Sequence, residues 1–192
     1  MLLRQSPIAA LLSINRDALR LTDLSLWPRA GLKGTDALTF LQAKRVTIPA
    51  INAAGRQDDQ ALLLRLAERE FVALAGGPDH PTVPARLPSF VTGGDNPPGL
   101  CPVPRDATSA WFSLAGDAAA DTLATVCPLD LRAKAFPDCK VAQTLLGQVS
   151  VIVTRDRMLT LDRFHILVDW STAHHLWSVL CDAAANVVER GG

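Results

Sequence analysis

The chain has 192 residues, of which 48% are hydrophobic and 20% are charged, and its 19 basic and 19 acidic residues cancel. This composition is typical of a globular protein and excludes an intrinsically disordered chain. The balanced charge argues against general binding to nucleic acid or to an anionic membrane, because both rely on excess Lys and Arg. No apolar run approaches the ~20 residues that span a bilayer, and no A-x-A-like cleavage site is present, so the sequence predicts a cytoplasmic protein.

The first half of the chain predicts a helix followed by a hairpin. The segment TDALTFLQAK indicates a helix over 34–43 with Thr35 as its N-cap. The apolar segment ALLLRLAEREFVALA then predicts two antiparallel strands joined by a turn at 67–70. Both elements fall within residues 1–76, which we therefore treat as an N-terminal α+β half.

A crossover rich in proline and glycine follows, over residues 77–104. Eight of the 13 prolines of the chain lie there, which excludes a regular helix or a central strand. Connections of this length in compact domains are usually functional segments or linkers.

The second half, residues 105–192, begins with a predicted strand over 109–115 and a helix over 116–126 with Asp117 at its start. Three strand-like segments come next, VAQTLLGQ, VSVIVTRD and RFHILVDW. The last alternates apolar and polar residues, which is typical of a half-buried strand. The chain closes with an amphipathic helix for which Ser171 is the expected N-cap.

Two short segments suggest an internal duplication. LKGTDALTFL, starting at Leu32, returns in altered form as LAGDAAADTL, starting at Leu114. Because each copy is followed by strands, we expect an α+β fold of two similar β-α-β-β units, with helices packed on antiparallel sheet. The helices 34–43 and 116–126 should occupy equivalent places.

Few residues fit a known catalytic or cofactor-binding pattern. GLKGTD matches neither G-x-G-x-x-G nor a P-loop, and no serine has a G-x-S-x-G context. His174 and His175 are adjacent on a helix and cannot both face one metal ion, whereas His165 is expected to be a partly buried, hydrogen-bonded strand residue. We therefore predict no metal site and no cofactor-binding residue in this chain.

The four cysteines show no metal-ligand or redox spacing. Cys101, Cys127, Cys139 and Cys181 form no C-x-x-C pair. We expect reduced thiols that pack in the interior.

Asp58 and Asp59, in GRQDDQALLL, are the acidic pair that best suits a catalytic role. Two adjacent carboxylates before a strand could provide a general base, because their repulsion raises one pKa. The simpler interpretation is a solvated turn that leads into the strand.

Longer segments resemble a known family. LTDLSLWPRAGLKGTDALTFLQ is similar to the opening of the folate-binding aminomethyltransferase (T-protein-like) superfamily. PVPRDATSAWFSLAGDAAADTLATVCPLDLRAKAF, VAQTLLGQVSVIVTRD and LDRFHILVDWSTAHHLWSVLCDA resemble the γ subunits of heterotetrameric sarcosine oxidases, which are small members of that superfamily. Together these similarities extend over most of residues 20–187.

The resemblance implies a non-catalytic subunit within an αβγδ heterotetramer. Such a chain contacts the α-type subunit, while the partner subunits carry FAD, FMN, NAD, tetrahydrofolate and zinc. The complex would oxidatively demethylate sarcosine or a related secondary amine or imino acid, with one-carbon transfer to tetrahydrofolate. Trp27 and Phe90 are the expected contacts with the partner, because both stand in proline-flanked segments.

Two other functions remain open from the sequence. In a folate-dependent aminomethyltransferase, the resemblance would make Asp59 the catalytic aspartate, with Gly55 and Asp58 completing the motif. The Thr-Asn-Asp segment of those enzymes is missing, and AKRVTIPA stands in its place. The other alternative is a free-standing folate-binding module, although the Lys-Gly-Cys-Tyr-type motif of the iron–sulfur maintenance members is also missing.

Overall fold

A computed structural model describes residues 6, 13–16, 19–76, 96–157 and 161–191 of the chain. For 13–16 and 188–191 it describes the backbone alone. The chain divides into two compact units. We call residues 27–108 the central unit, and residues 1–26 together with 109–192 the split unit.

The central unit contains an antiparallel sheet with the strand order β4-β5-β6-β3-β7. Its elements in chain order are β3 (Arg29–Lys33), α1 (Ala37–Ala43), β4 (Ala53–Arg56), β5 (Leu62–Ala67), β6 (Glu70–Leu74), β7 (Cys101–Val103) and α2 (Arg105–Thr108). The turn between β5 and β6 lies at 68–69, as the hairpin pattern predicts.

The split unit contains an antiparallel sheet with the order β1-β2-β8-β11-β10-β9. Its elements are β1 (Ser13–Arg16), β2 (Leu19–Asp23), β8 (Ser109–Ala115), α3 (Ala119–Ala124), β9 (Val141–Leu146), β10 (Val149–Arg155), β11 (Arg163–Asp169), a 3₁₀ turn (Trp170–Thr172) and α4 (Ala173–Gly191).

The two sheets repeat one arrangement. The central sheet contains the order β3-β6-β5-β4, in which the strand that comes first in the chain, β3, pairs with the one that comes last, β6, and α1 follows β3. The split unit repeats this with β8-β11-β10-β9, where β8 pairs with β11 and α3 follows β8. The α+β fold class with two similar units is confirmed. Each unit has three strands after its helix, one more than the predicted β-α-β-β pattern.

The strand that precedes each repeat belongs to the sheet of the other repeat. β2 comes before β3 in the chain yet pairs with β8, whereas β7 comes before β8 yet pairs with β3. The compact units therefore divide the chain at 27 and 109 and differ from the halves 1–76 and 105–192 defined by sequence. Residues 77–95 of the predicted crossover lie outside the described residues, so its role stays a prediction.

Gly34 and Gly116 explain the similarity of the two short segments. Their φ angles are +125° and +132°, which L side chains rarely adopt. The Gly34 carbonyl accepts from Ala37 N at 3.2 Å, and the Gly116 carbonyl accepts from Ala119 N at 3.0 Å. Each glycine therefore forms the same tight turn between a strand and a helix.

This turn also corrects the predicted helix starts. Because a positive φ cannot belong to a right-handed helix, α1 begins at Ala37 and α3 at Ala119, three residues after each glycine. The N-cap positions are held by Asp36 and Ala118, rather than by Thr35 or Asp117, and neither makes a side-chain capping bond.

The core of the split unit lies where α3 and α4 cover one face of the sheet. The strands contribute Leu21, Phe112, Phe164 and Ile166, among others, and the ring of Trp177 from α4 packs edge-on against Phe112 with centroids 5.1 Å apart. The central unit has a smaller core of its own, formed by Ala30, Leu32, Ala37, Leu41, Ala61, Leu63, Phe71, Ala73 and Leu100.

β11 is buried on both faces, so the prediction of a half-buried strand is wrong. Every residue from Arg163 to Val168 is buried, and only Asp169 is exposed. β11 lies between β8 and β10 in the interior of the sheet, where His165 faces Ser113 on one side and Thr154 on the other. Arg163 and His165 are therefore enclosed with the apolar residues of the strand.

Asp169, rather than Ser171, caps the 3₁₀ turn that leads into α4. The Asp169 Oδ1 atom accepts from Ser171 N at 2.9 Å and from Ser171 Oγ at 2.5 Å, which closes the 3₁₀ turn ahead of the helix. These two hydrogen bonds, led by the hydroxyl, hold the pKa of the Asp169 carboxyl below its usual value.

Asp169→Ala is expected to lower the free energy of unfolding near neutral pH by about 1 kcal/mol, because the turn loses its cap. Since the pKa of Asp169 is lowered in the folded chain, this contribution exists above the usual aspartate pKa and is lost as the pH falls through the folded value. The difference from wild type should therefore shrink below about pH 4. Urea titrations at several pH values test this, with Asp182→Ala, an exposed carboxylate farther along α4, as the control. A difference that persists in acid would contradict the capping role.

Candidate functional site

Asp58 and Asp59 lie in the loop that joins β4 to β5. Gln57 N donates to Ala61 O at 2.8 Å, and Asp59 Oδ1 accepts from Ala61 N at 3.2 Å. An aspartate that accepts from the backbone two residues later forms an Asx turn. Asp58 is exposed and Asp59 partly buried. This geometry favours the interpretation of a turn, and the catalytic role of Asp59 stays a hypothesis.

The split unit holds a buried polar cluster around His165. Trp111 Nε1 donates to His165 Nδ1 at 3.1 Å, and His165 Nε2 lies 3.3 Å from Asp156 Oδ2. Trp111 is 1% exposed, Asp156 4% and His165 5%, so the three side chains are enclosed by protein. The expected hydrogen-bonded histidine is present, but it is almost fully buried.

The hydrogen-bonding chemistry of Trp111, His165 and Asp156 determines which imidazole nitrogen carries the proton. An indole N–H can only donate, so His165 Nδ1 must accept, and in the neutral ring the proton then resides on Nε2. Nε2–H in turn donates to the Asp156 carboxylate. A catalytic base needs an accepting nitrogen within reach of its substrate, whereas the accepting nitrogen here is held by Trp111. The cluster therefore suits a structural role.

The Asp-Leu-Ser segment that contributes to the family resemblance completes this cluster. Leu24 N donates to Trp111 O at 2.7 Å, and the hydroxyl of Ser25 accepts from Trp111 N at 3.0 Å. Asp23 Oδ1 accepts from Ser25 N at 2.8 Å and so holds the turn. The segment thereby extends the pairing of β2 with β8 beyond the end of the strand.

Two tryptophan variants should separate the hydrogen bond from the packing. Trp111→Phe removes the donor to His165, whereas the Nε1 atom of Trp177, a residue 2% exposed, has no hydrogen-bond partner among the described residues. Both variants delete the same ring atoms. We expect Trp111→Phe to lower the free energy of unfolding by about 1–3 kcal/mol more than Trp177→Phe does. Chemical denaturation measures both, and equal losses would contradict the role assigned to the Trp111–His165 bond.

A shallow cavity of about 600 Å³ lies in the split unit, beside the turn between β9 and β10. It is lined by Thr125, Val126, Cys127, Pro128, Gly147, Gln148, His175 and Val179. The exposed His175 ring lies with Nε2 3.0 Å from Gly147 O, and Gly147 N donates to Val126 O at 2.9 Å. His174 is exposed on the first turn of α4. These contacts join the turn to the segment that follows α3 and to α4.

The remaining candidates are dispersed. The four cysteines are free thiols, but Cys101 is exposed and the other three are partly buried, so the expectation that all four pack in the interior is wrong for Cys101. Burial, followed by the charge of Asp182, raises the pKa of Cys181. Among the described residues no three His, Cys, Asp or Glu side chains are grouped as metal ligands would be. Trp27 is partly buried, whereas Phe90 lies outside the described residues. No helix in the described part of the chain is both long and apolar enough to cross a membrane.

Sequence reasoning identified His165 but missed both of its partners. Trp111, Asp156 and His165 lie on or beside three different strands and have no common spacing. One signal was present, since a histidine inside an otherwise apolar strand needs hydrogen-bond partners when it is buried. The identity of those partners follows from the sheet order β8-β11-β10, which sequence periodicity alone does not provide.

Comparison with solved structures finds similar folds, two of which come from enzymes of known activity. A chain of the heterotetrameric sarcosine oxidase from Corynebacterium sp. U-96, in complex with pyrrole 2-carboxylate, matches with a TM-score of 0.73 and 24% identity, covering 97% of both chains. Aminomethyltransferase T of the glycine cleavage system from Bartonella henselae matches with a TM-score of 0.60 and 20% identity. That match covers 86% of this chain but 46% of the enzyme, so this chain spans about half the length of that relative.

No family model matches the sequence, and no curated protein matches it. At these identities the structural matches establish the fold. The resemblance expected from the sequence is therefore confirmed at the level of fold, since the chain has the T-protein-like architecture shared by both solved structures.

Proposed function

We propose that the chain is a γ-type accessory subunit of a heterotetrameric flavoenzyme of the sarcosine oxidase type. The observation that carries this proposal is the fold match over 97% of both chains, which makes this chain equivalent in extent to one whole chain of that oxidase. The corresponding match to the transferase leaves more than half of that enzyme without a counterpart.

In the proposed complex, the partner subunits carry FAD, FMN, NAD, tetrahydrofolate and zinc, and this chain contacts the α-type subunit. The complex oxidatively demethylates sarcosine or a related secondary amine or imino acid and transfers the one-carbon unit to tetrahydrofolate. Two features of this chain favour an accessory role without catalysis. His165 has both ring nitrogens engaged inside the fold, and Asp59 closes a turn.

Purification of the native protein under mild conditions tests the proposal. The expected result is a complex with larger polypeptides that shows the visible absorbance of bound flavin and oxidises a secondary N-methyl amine. A native chain that purifies without any flavin-bearing polypeptide would overturn it.

The alternative function is a folate-dependent aminomethyltransferase-like enzyme or a free-standing folate-binding module. The match to aminomethyltransferase T and the placement of Asp59 after Gly55 favour this alternative. Calorimetric titration of the isolated chain with tetrahydrofolate distinguishes it, because the accessory-subunit proposal expects no binding by this chain alone.

Asp59→Asn is expected to leave the turnover of the assembled complex within a few-fold of wild type. The amide oxygen can still accept from Ala61 N, so the turn is preserved while the negative charge is lost. Asp58→Asn, at the exposed neighbouring position, is the matched control. A loss of several orders of magnitude in the Asp59 variant alone would favour the catalytic-base hypothesis.

A further inference from the structure

We draw no further inference here: the strongest candidate, the cavity of about 600 Å³ beside the turn between β9 and β10 of the split unit, is lined by one thiol and one imidazole, and nothing in the described part of the chain shows what would occupy it.

Discussion

Replacing Gly34 with alanine is expected to lower the free energy of unfolding by about 3–5 kcal/mol. An added Cβ would lie 2.1 Å from the carbonyl oxygen of Gly99, and the φ angle of +125° is itself unfavourable for an L side chain. The obstacle is backbone, which cannot rotate away as a side chain can. The neighbouring contacts are also tight, since Gly99 N donates to Asp36 Oδ2 at 3.2 Å and Asp36 N donates to Gly99 O at 3.3 Å.

Gly55→Ala is the matched control for this prediction. Gly55 lies inside strand β4, where an added Cβ would meet its nearest neighbour, Pro49, at an ordinary contact distance of 3.6 Å. Alanine in a strand also loses less conformational entropy than glycine does, so this variant should equal or slightly exceed wild type in stability. Urea denaturation of both variants measures the difference. Similar stabilities for the two would contradict the role of Gly34 as the turn on which the 96–100 segment packs.

Gly34 shows why the duplication was visible in the sequence. Gly34 and Gly116 recur because the strand-to-helix turn needs a positive φ. That requirement selects glycine at this position whatever the surrounding residues are. The apolar positions Leu32, Leu41 and Leu123 recur because each faces a core. Local geometry and local burial were therefore predictable, including the hairpin turn at 68–69.

Pairing between distant segments was not predictable in the same way. β2 bonds to β8 rather than to β3, although nothing in the five residues of β2 specifies which strand they join. The burial of both faces of β11 follows from its interior position in the sheet, which depends on that long-range order. For the same reason, the candidate site was foreseen at His165 and missed at Trp111.

Asp162 and Arg155 form an ion pair where the chain returns from β10 to β11, and the second large effect is expected there. Arg155 is almost fully buried, with 4% of its side chain exposed, and besides Asp162 its guanidinium donates to Phe136 O at 3.1 Å and lies over the Phe164 ring. Asp162→Ala leaves this cation buried without its carboxylate. Removing one partner of a buried pair is strongly destabilising, so we expect a loss of about 3 kcal/mol in the free energy of unfolding.

Replacing Arg155, the other partner, with methionine should lower the free energy of unfolding by less than Asp162→Ala does. This asymmetry tests the ion pair more sharply than Asp162→Ala alone. The Asp162 side chain is 25% exposed and also lies 4.0 Å from Arg157, so in Arg155→Met its charge keeps both water and a second cation nearby. Methionine also fills much of the space that the arginine stem occupied.

The double variant Asp162→Ala/Arg155→Met should recover much of the stability lost in Asp162→Ala, because it no longer buries an uncompensated charge. Asp130→Ala is the control, since the Asp130–Arg132 pair is exposed and surface pairs contribute little. Denaturant unfolding of the four variants decides the matter. One contrary result is that Asp162→Ala lowers the free energy of unfolding no more than Asp130→Ala does, and another is that the double variant is no more stable than Asp162→Ala. Either result would contradict the stabilisation of the buried Arg155 guanidinium by Asp162.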